Sequence, residues 1–108
     1  MPHAGYKYGK NELRKFINKK YSRKYDESGY LTYRFIINCE GKAGGFQIIE
    51  NDLEYEPKTF SDSIKSEFLN MVEQLDEWSP CVIDSVSRDS FMYISFRLED
   101  GNIAEILP

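Results

Sequence analysis

Tyr30-Leu31-Thr32-Tyr33-Arg34-Phe35-Ile36-Ile37-Asn38-Cys39 is the stretch that decides the fold. Its β-branched and aromatic side chains suit a pleated strand, and their alternation puts Leu31, Tyr33, Phe35, Ile37 and Cys39 on one face, with Thr32, Arg34 and Asn38 on the other. Glu40-Gly41-Lys42-Ala43-Gly44-Gly45 then supplies turn residues, after which Phe46, Ile48 and Glu50 alternate with Gln47 and Ile49. The spacing predicts an antiparallel hairpin.

Upstream, Leu13, Phe16, Ile17 and Tyr21 recur at helical spacing, which predicts a helix over 11–21 capped by Asn11. Tyr6 and Tyr8 fall in an extended lead before it, and Tyr25 to Gly29 reads as a polar connection. Downstream, an acidic loop from Asn51 closes at Pro57, Thr59 or Ser61 caps a second helix, and Asp62 suits its first turn. That helix carries Ile64, Phe68, Leu69, Met71, Val72 and Leu75 as one stripe, which must pack on a sheet. Trp78-Ser79-Pro80 ends it, because the residue before a proline is pushed toward extended backbone. After a loop from Cys81 to Arg88 comes a third strand, with Met92, Ile94, Phe96 and Leu98 opposite Tyr93, Ser95 and Arg97. Asp100-Gly101 is a hairpin signal, and Ile103 to Leu107 adds a short last strand. The expectation is an α+β fold: a three- to four-stranded antiparallel sheet with two helices packed on one face. Residues 1–9 form a flexible lead and 10–108 the domain.

A chain of 108 residues has room for one core. Aromatic residues make up 15% of it, enough burial to oppose chain entropy and to exclude a disordered segment. No apolar run approaches the roughly 18 residues of a membrane span, and Met1-Pro2-His3-Ala4-Gly5 lacks the apolar stretch of a signal peptide. As it stands the chain is expected to be soluble, and an export signal or anchor would belong to a longer parent. The net charge of −4 is unevenly spread: residues 1–25 hold eight of the fourteen Lys/Arg and one acid, Glu12. A nucleic-acid arm is one reading of that segment, but the acidic remainder repels phosphate, and a solvated helix face fits better.

The residues argue against an enzyme. His3 is the one histidine and lies at the terminus, so neither a Ser-His nor a Cys-His pair has a positioned base. Zinc would find only Cys39, Cys81 and His3, none closely spaced, and the Glu50–Glu56 acids lack the glycine and closing glutamate of a calcium loop. Gly41 to Gly45 is too short for a phosphate-binding loop. No metal and no cofactor is expected.

A larger pattern is carried by Gly29 opening the first strand, Gly41 in the turn, a helix closed by Trp78-Ser79-Pro80, and a strand ending in Ser95-Phe96. In that order these motifs resemble the C-terminal domain of TonB energy transducers over roughly residues 10–107. The resemblance implies a periplasmic domain whose parent is anchored in the inner membrane. There it meets energising proteins and pairs with the TonB box of outer-membrane receptors by strand addition. The edge strand it implies is Ser90, Phe91, Met92, Tyr93, Ile94, Ser95, Phe96, Arg97 and Leu98. The trailing strand either leaves that edge free or covers part of it. In the same topology Cys39 and Cys81 come to adjoining strand ends, where they form a disulfide or remain two free thiols. A non-energised envelope assembly or dimerisation module on the same fold is the alternative, with a homodimer possible and no nucleic-acid partner expected.

Overall fold

The computed structural model describes residues 5–6, 9–22, 24–75, 78–79, 81–83 and 86–107, with only the main chain described at 81–83 and 86–88. In chain order the elements are β1 (Gly5–Tyr6), α1 (Lys10–Lys20), β2 (Gly29–Ile37), β3 (Ala43–Asn51) and α2 (Asp62–Glu73), then β4 (Trp78–Ser79), β5 (Cys81–Ile83), β6 (Val86–Arg88), β7 (Ser90–Glu99) and β8 (Asn102–Leu107). The fold is α+β. Its main sheet is antiparallel, in the order β3-β2-β7-β8, so the strand that opened the sequence reading is central.

Alternation along β2 is obeyed: Leu31, Tyr33, Phe35 and Ile37 are buried, and Ile94, Phe96 and Leu98 of β7 join them on the same face. Leu13 and Ile17 of α1 and Ile64, Phe68, Met71 and Val72 of α2 cover that face and complete one core. Aromatic rings carry the contact between layers. Phe68 lies 4.7 Å from Phe96 and 4.9 Å from Tyr21, centroid to centroid. Tyr33 reaches from the sheet to α2, its hydroxyl donating to the Lys65 carbonyl at 2.6 Å. Burial, with Glu50 adding to it, pushes the Tyr33 phenol above its ordinary value.

Local chemistry explains several ends. Ser61 caps α2, accepting from the Ile64 amide, and is held by Glu27, to whose carboxylate its hydroxyl donates at 2.7 Å. The first helix starts two residues earlier than the Asn11 cap implies, after Gly9 at φ +88°, with no side-chain cap. The turn after β2 also comes earlier than expected. Asn38 folds back to accept from the amides of Glu40 and Lys42, so β2 ends at Ile37 and Cys39 leaves the strand. Gly44 and Gly45 belong to β3 instead, where the register with β2 shifts between Arg34 and Ile36. Gly29 needs its glycine: at φ +142° a Cβ there would strike the Asn51 carbonyl.

Three further expectations change. The second helix ends at Glu73, well before the Trp78-Ser79-Pro80 stop, and Trp78–Ser79 is a short strand. Gly5–Tyr6 pairs with Trp78–Ser79, and the Tyr6 ring meets Trp78 edge-on at 5.4 Å, so this part of the lead is docked on the domain. Where a plain loop was expected, Cys81–Ile83 pairs antiparallel with Val86–Arg88 as β5 and β6.

Candidate functional site

The expected edge strand is β7, and the structure divides it. On one side β2 pairs with it from Gly29↔Leu98 to Ile37↔Ser90. On the other, β8 pairs from Glu99↔Asn102 to Ser95↔Leu107, led in by Asp100-Gly101. Of the two alternatives for the trailing strand, the structure has the partial cover: Ser95, Phe96, Arg97 and Leu98 lie between two strands. Among the described residues no strand pairs with Ser90, Phe91, Met92, Tyr93 and Ile94 on the side away from β2. Within the described residues β8 spans six residues against ten in β7.

Main-chain groups of an antiparallel strand point alternately to its two neighbours, so Ser90–Ile94 offers donors and acceptors along an unpaired side. Its side chains sort by face. Ile94 is buried in the core and Met92 is partly buried, whereas Phe91 and Tyr93 stand exposed on the face turned away from the helices. Among the described residues Ser90 Oγ is buried without a hydrogen-bond partner. The other strand edges differ. Arg14 of α1 reaches β8, donating to the Ile106 carbonyl at 3.3 Å, while β3 is met at Asn51 by a bridge to Pro57.

The face that carries Phe91 and Tyr93 is built by register. Thr32 lies between Ile49 and Ser95, Arg34 between Gln47 and Tyr93, and Ile36 between Gly44 and Phe91. Thr32 and Ser95 share a hydrogen bond of 2.7 Å between their hydroxyls. Further along, Tyr30 and Tyr55 stack at 4.7 Å and share a hydroxyl hydrogen bond of 3.2 Å, which holds the Tyr30 phenol above its usual value. Arg97 is engaged by Glu99 at 3.1 Å and Glu105 at 3.9 Å. Sequence reasoning placed Arg34 on this face without giving it a role. The signal was present, because Ile36 and Ile49 are apolar residues on the side that alternation assigns to solvent.

The motif residues scatter. Gly29 opens β2, Gly41 sits in the Asn38–Lys42 turn at φ +80°, and Trp78 is buried with its indole N–H on the Leu75 carbonyl. Pro80 lies outside the described residues. Cys39 is exposed, its amide donates to Asp89, and it is not on the inward face of β2. The side chain of Cys81, and with it the pairing of the two cysteines, lies outside the described residues, as does His3. Among the described residues no group of three His, Cys, Asp or Glu could hold a metal, and no helix is long and apolar enough to cross a membrane. Comparison with known proteins finds no matching family model, curated relative or solved structure.

Proposed function

We propose that this chain is a peptide-binding domain of the TonB C-terminal type, which takes up an extended segment of an outer-membrane receptor as an added strand. The observation that carries the reading is the half-open edge of β7: β8 pairs as far as Ser95, and among the described residues no strand pairs with Ser90–Ile94 on that side. An incoming strand would run on from the end of β8 and complete the ladder. Pull along such a strand loads all of its main-chain hydrogen bonds together, which suits a force coupler. In this reading the parent chain is periplasmic, anchored in the inner membrane and coupled there to energising proteins. The domain itself binds and does not catalyse.

Titrating 15N-labelled protein with synthetic N-terminal segments of candidate receptors tests this. Amide shifts are expected at Ser90–Ile94, with Leu98 and Glu99 little moved. No response at Ser90–Ile94 to any such segment would sink the reading. The alternative, an assembly or dimerisation module without energy coupling, draws on β3. That strand is the other edge of the sheet and exposes Ile48 and Ile49. Concentration-dependent sedimentation removed by Ile48→Lys would favour it.

A further inference from the structure

We infer that the open face of the sheet, centred on Arg34, is a docking surface in its own right, for a polypeptide segment that sets one carboxylate among apolar side chains. Ile36, Ile49, Phe91 and Tyr93 expose 38%, 44%, 65% and 49% of their surfaces and lie on this one face around Arg34. Large apolar side chains gathered on a sheet face, and not scattered singly, mark a surface meant to be covered. Shallow depressions of about 180 and 260 Å³ flank Arg34 on its Thr32 and Ile36 sides.

Arg34 supplies the chemistry. Its guanidinium lies 4.7 Å from the centroid of the Phe91 ring. Among the described residues it makes no ion pair and no side-chain hydrogen bond, whereas Arg97 on the same face is held by two glutamates. A guanidinium resting on a ring keeps its planar fork of donors in place, and that fork matches a carboxylate. Covering the surrounding apolar side chains would lower the local dielectric and strengthen such a pair.

Charge also selects the occupant. A second copy docked face to face about a two-fold axis would set Arg34 against the partner's own Arg34, and the acids on this face, Glu99 and Glu105, are already engaged by Arg97. A polyanion such as nucleic acid needs several cations to release its counterions, and among the described residues of this face Arg34 is the one cation without an ion pair. A polypeptide carrying a single acid between apolar residues fits both the charge and the surface. The contacts are side chains on β2, β3 and β7, so the inference stands apart from strand addition at the β7 edge.

The test is selection of a random 16-residue peptide display library on the 108-residue protein. Recovered peptides are then measured by fluorescence anisotropy and located by amide shifts. Expected are peptides enriched in one Asp or Glu flanked by apolar residues, with shifts at Thr32, Arg34, Ile36 and Ile49. Arg34→Gln should weaken them tenfold or more and erase the preference for an acid, Arg34→Lys should restore part of both, and Phe91→Ala should weaken binding. Far-UV circular dichroism and Trp78 emission check that each variant is folded. The inference is overturned by a library that yields no binder, by peptides without acid enrichment, or by Arg34→Gln binding as tightly as the parent. Shifts confined to Ser90–Ile94 also overturn it and leave strand addition standing. Dimerisation abolished by Phe91→Ala would give the face to a second copy instead.

Discussion

Gly101 joins three parts of the molecule through its main chain. Its amide donates to the Glu27 carbonyl at 2.9 Å, its carbonyl accepts from the Tyr21 hydroxyl at 2.6 Å, and its φ of +81° leaves no place for a Cβ, which would run into the Tyr25 carbonyl. Gly101→Ala adds that clash to a conformation worth about 1 kcal/mol against alanine. A loss above about 2 kcal/mol is expected, read from the urea midpoint of Trp78 emission, and a smaller loss would mean that the Tyr25 segment yields easily. Tyr33 predicts a pH response. Burial, then Glu50, keeps its phenol neutral in the fold, while an unfolded tyrosine ionises near about pH 10. Its contribution is therefore complete below about pH 10 and is lost as pH rises from there toward the higher folded value. Tyr33→Phe should cost about 1 kcal/mol at pH 7 through the lost bond to Lys65 and should fall less steeply than the parent between pH 9 and 11. Parallel alkaline slopes for the two proteins would refute that assignment.

At the scale of elements, α2 and β8 give the sharpest expectations. Ser61→Ala removes the cap of α2 and the hydroxyl bonded to Glu27, and should cost about 1 kcal/mol by denaturant titration; an unchanged midpoint would assign the cap no energy. Ile106 is the residue of β8 that enters the core, so Ile106→Ala should cost about 2–4 kcal/mol and also loosen β8 from β7. Faster hydrogen exchange at Ser95–Leu98 would report that loosening, and unchanged protection there would contradict it. The two helices differ in legibility for a physical reason. The stripe of α2 and its Ser61 cap are local patterns and could be read directly, whereas α1 starts at Gly9, where backbone conformation and not a side chain turns the chain. The β5–β6 pairing was missed because Cys81-Val82-Ile83 is too short to show an alternation.

Across the whole molecule, rings link layers that are distant in sequence. Tyr21 stacks on Phe68, Phe68 meets Phe96, and on the other flank Phe35 meets Trp78 at 5.1 Å and Trp78 meets Tyr6. Phe68→Ala should cost about 3–5 kcal/mol, a large share of the roughly 5–15 kcal/mol that holds a domain together. Thermal melts followed by Trp78 emission and by far-UV circular dichroism should shift together, and separate shifts would show that the two flanks unfold independently. The inward faces of β2 and β7, the hairpin, the stripe of α2 and the Asp100-Gly101 turn were all determined by the sequence itself, because side-chain alternation and capping follow from covalent geometry over a few residues. Strand order and the place of Arg34 beside Phe91 and Tyr93 on the open face were decided only by the tertiary structure. Each depends on which distant segment lies alongside, as when Arg34 finds Tyr93 across the ladder, and no local period in the chain encodes that neighbour.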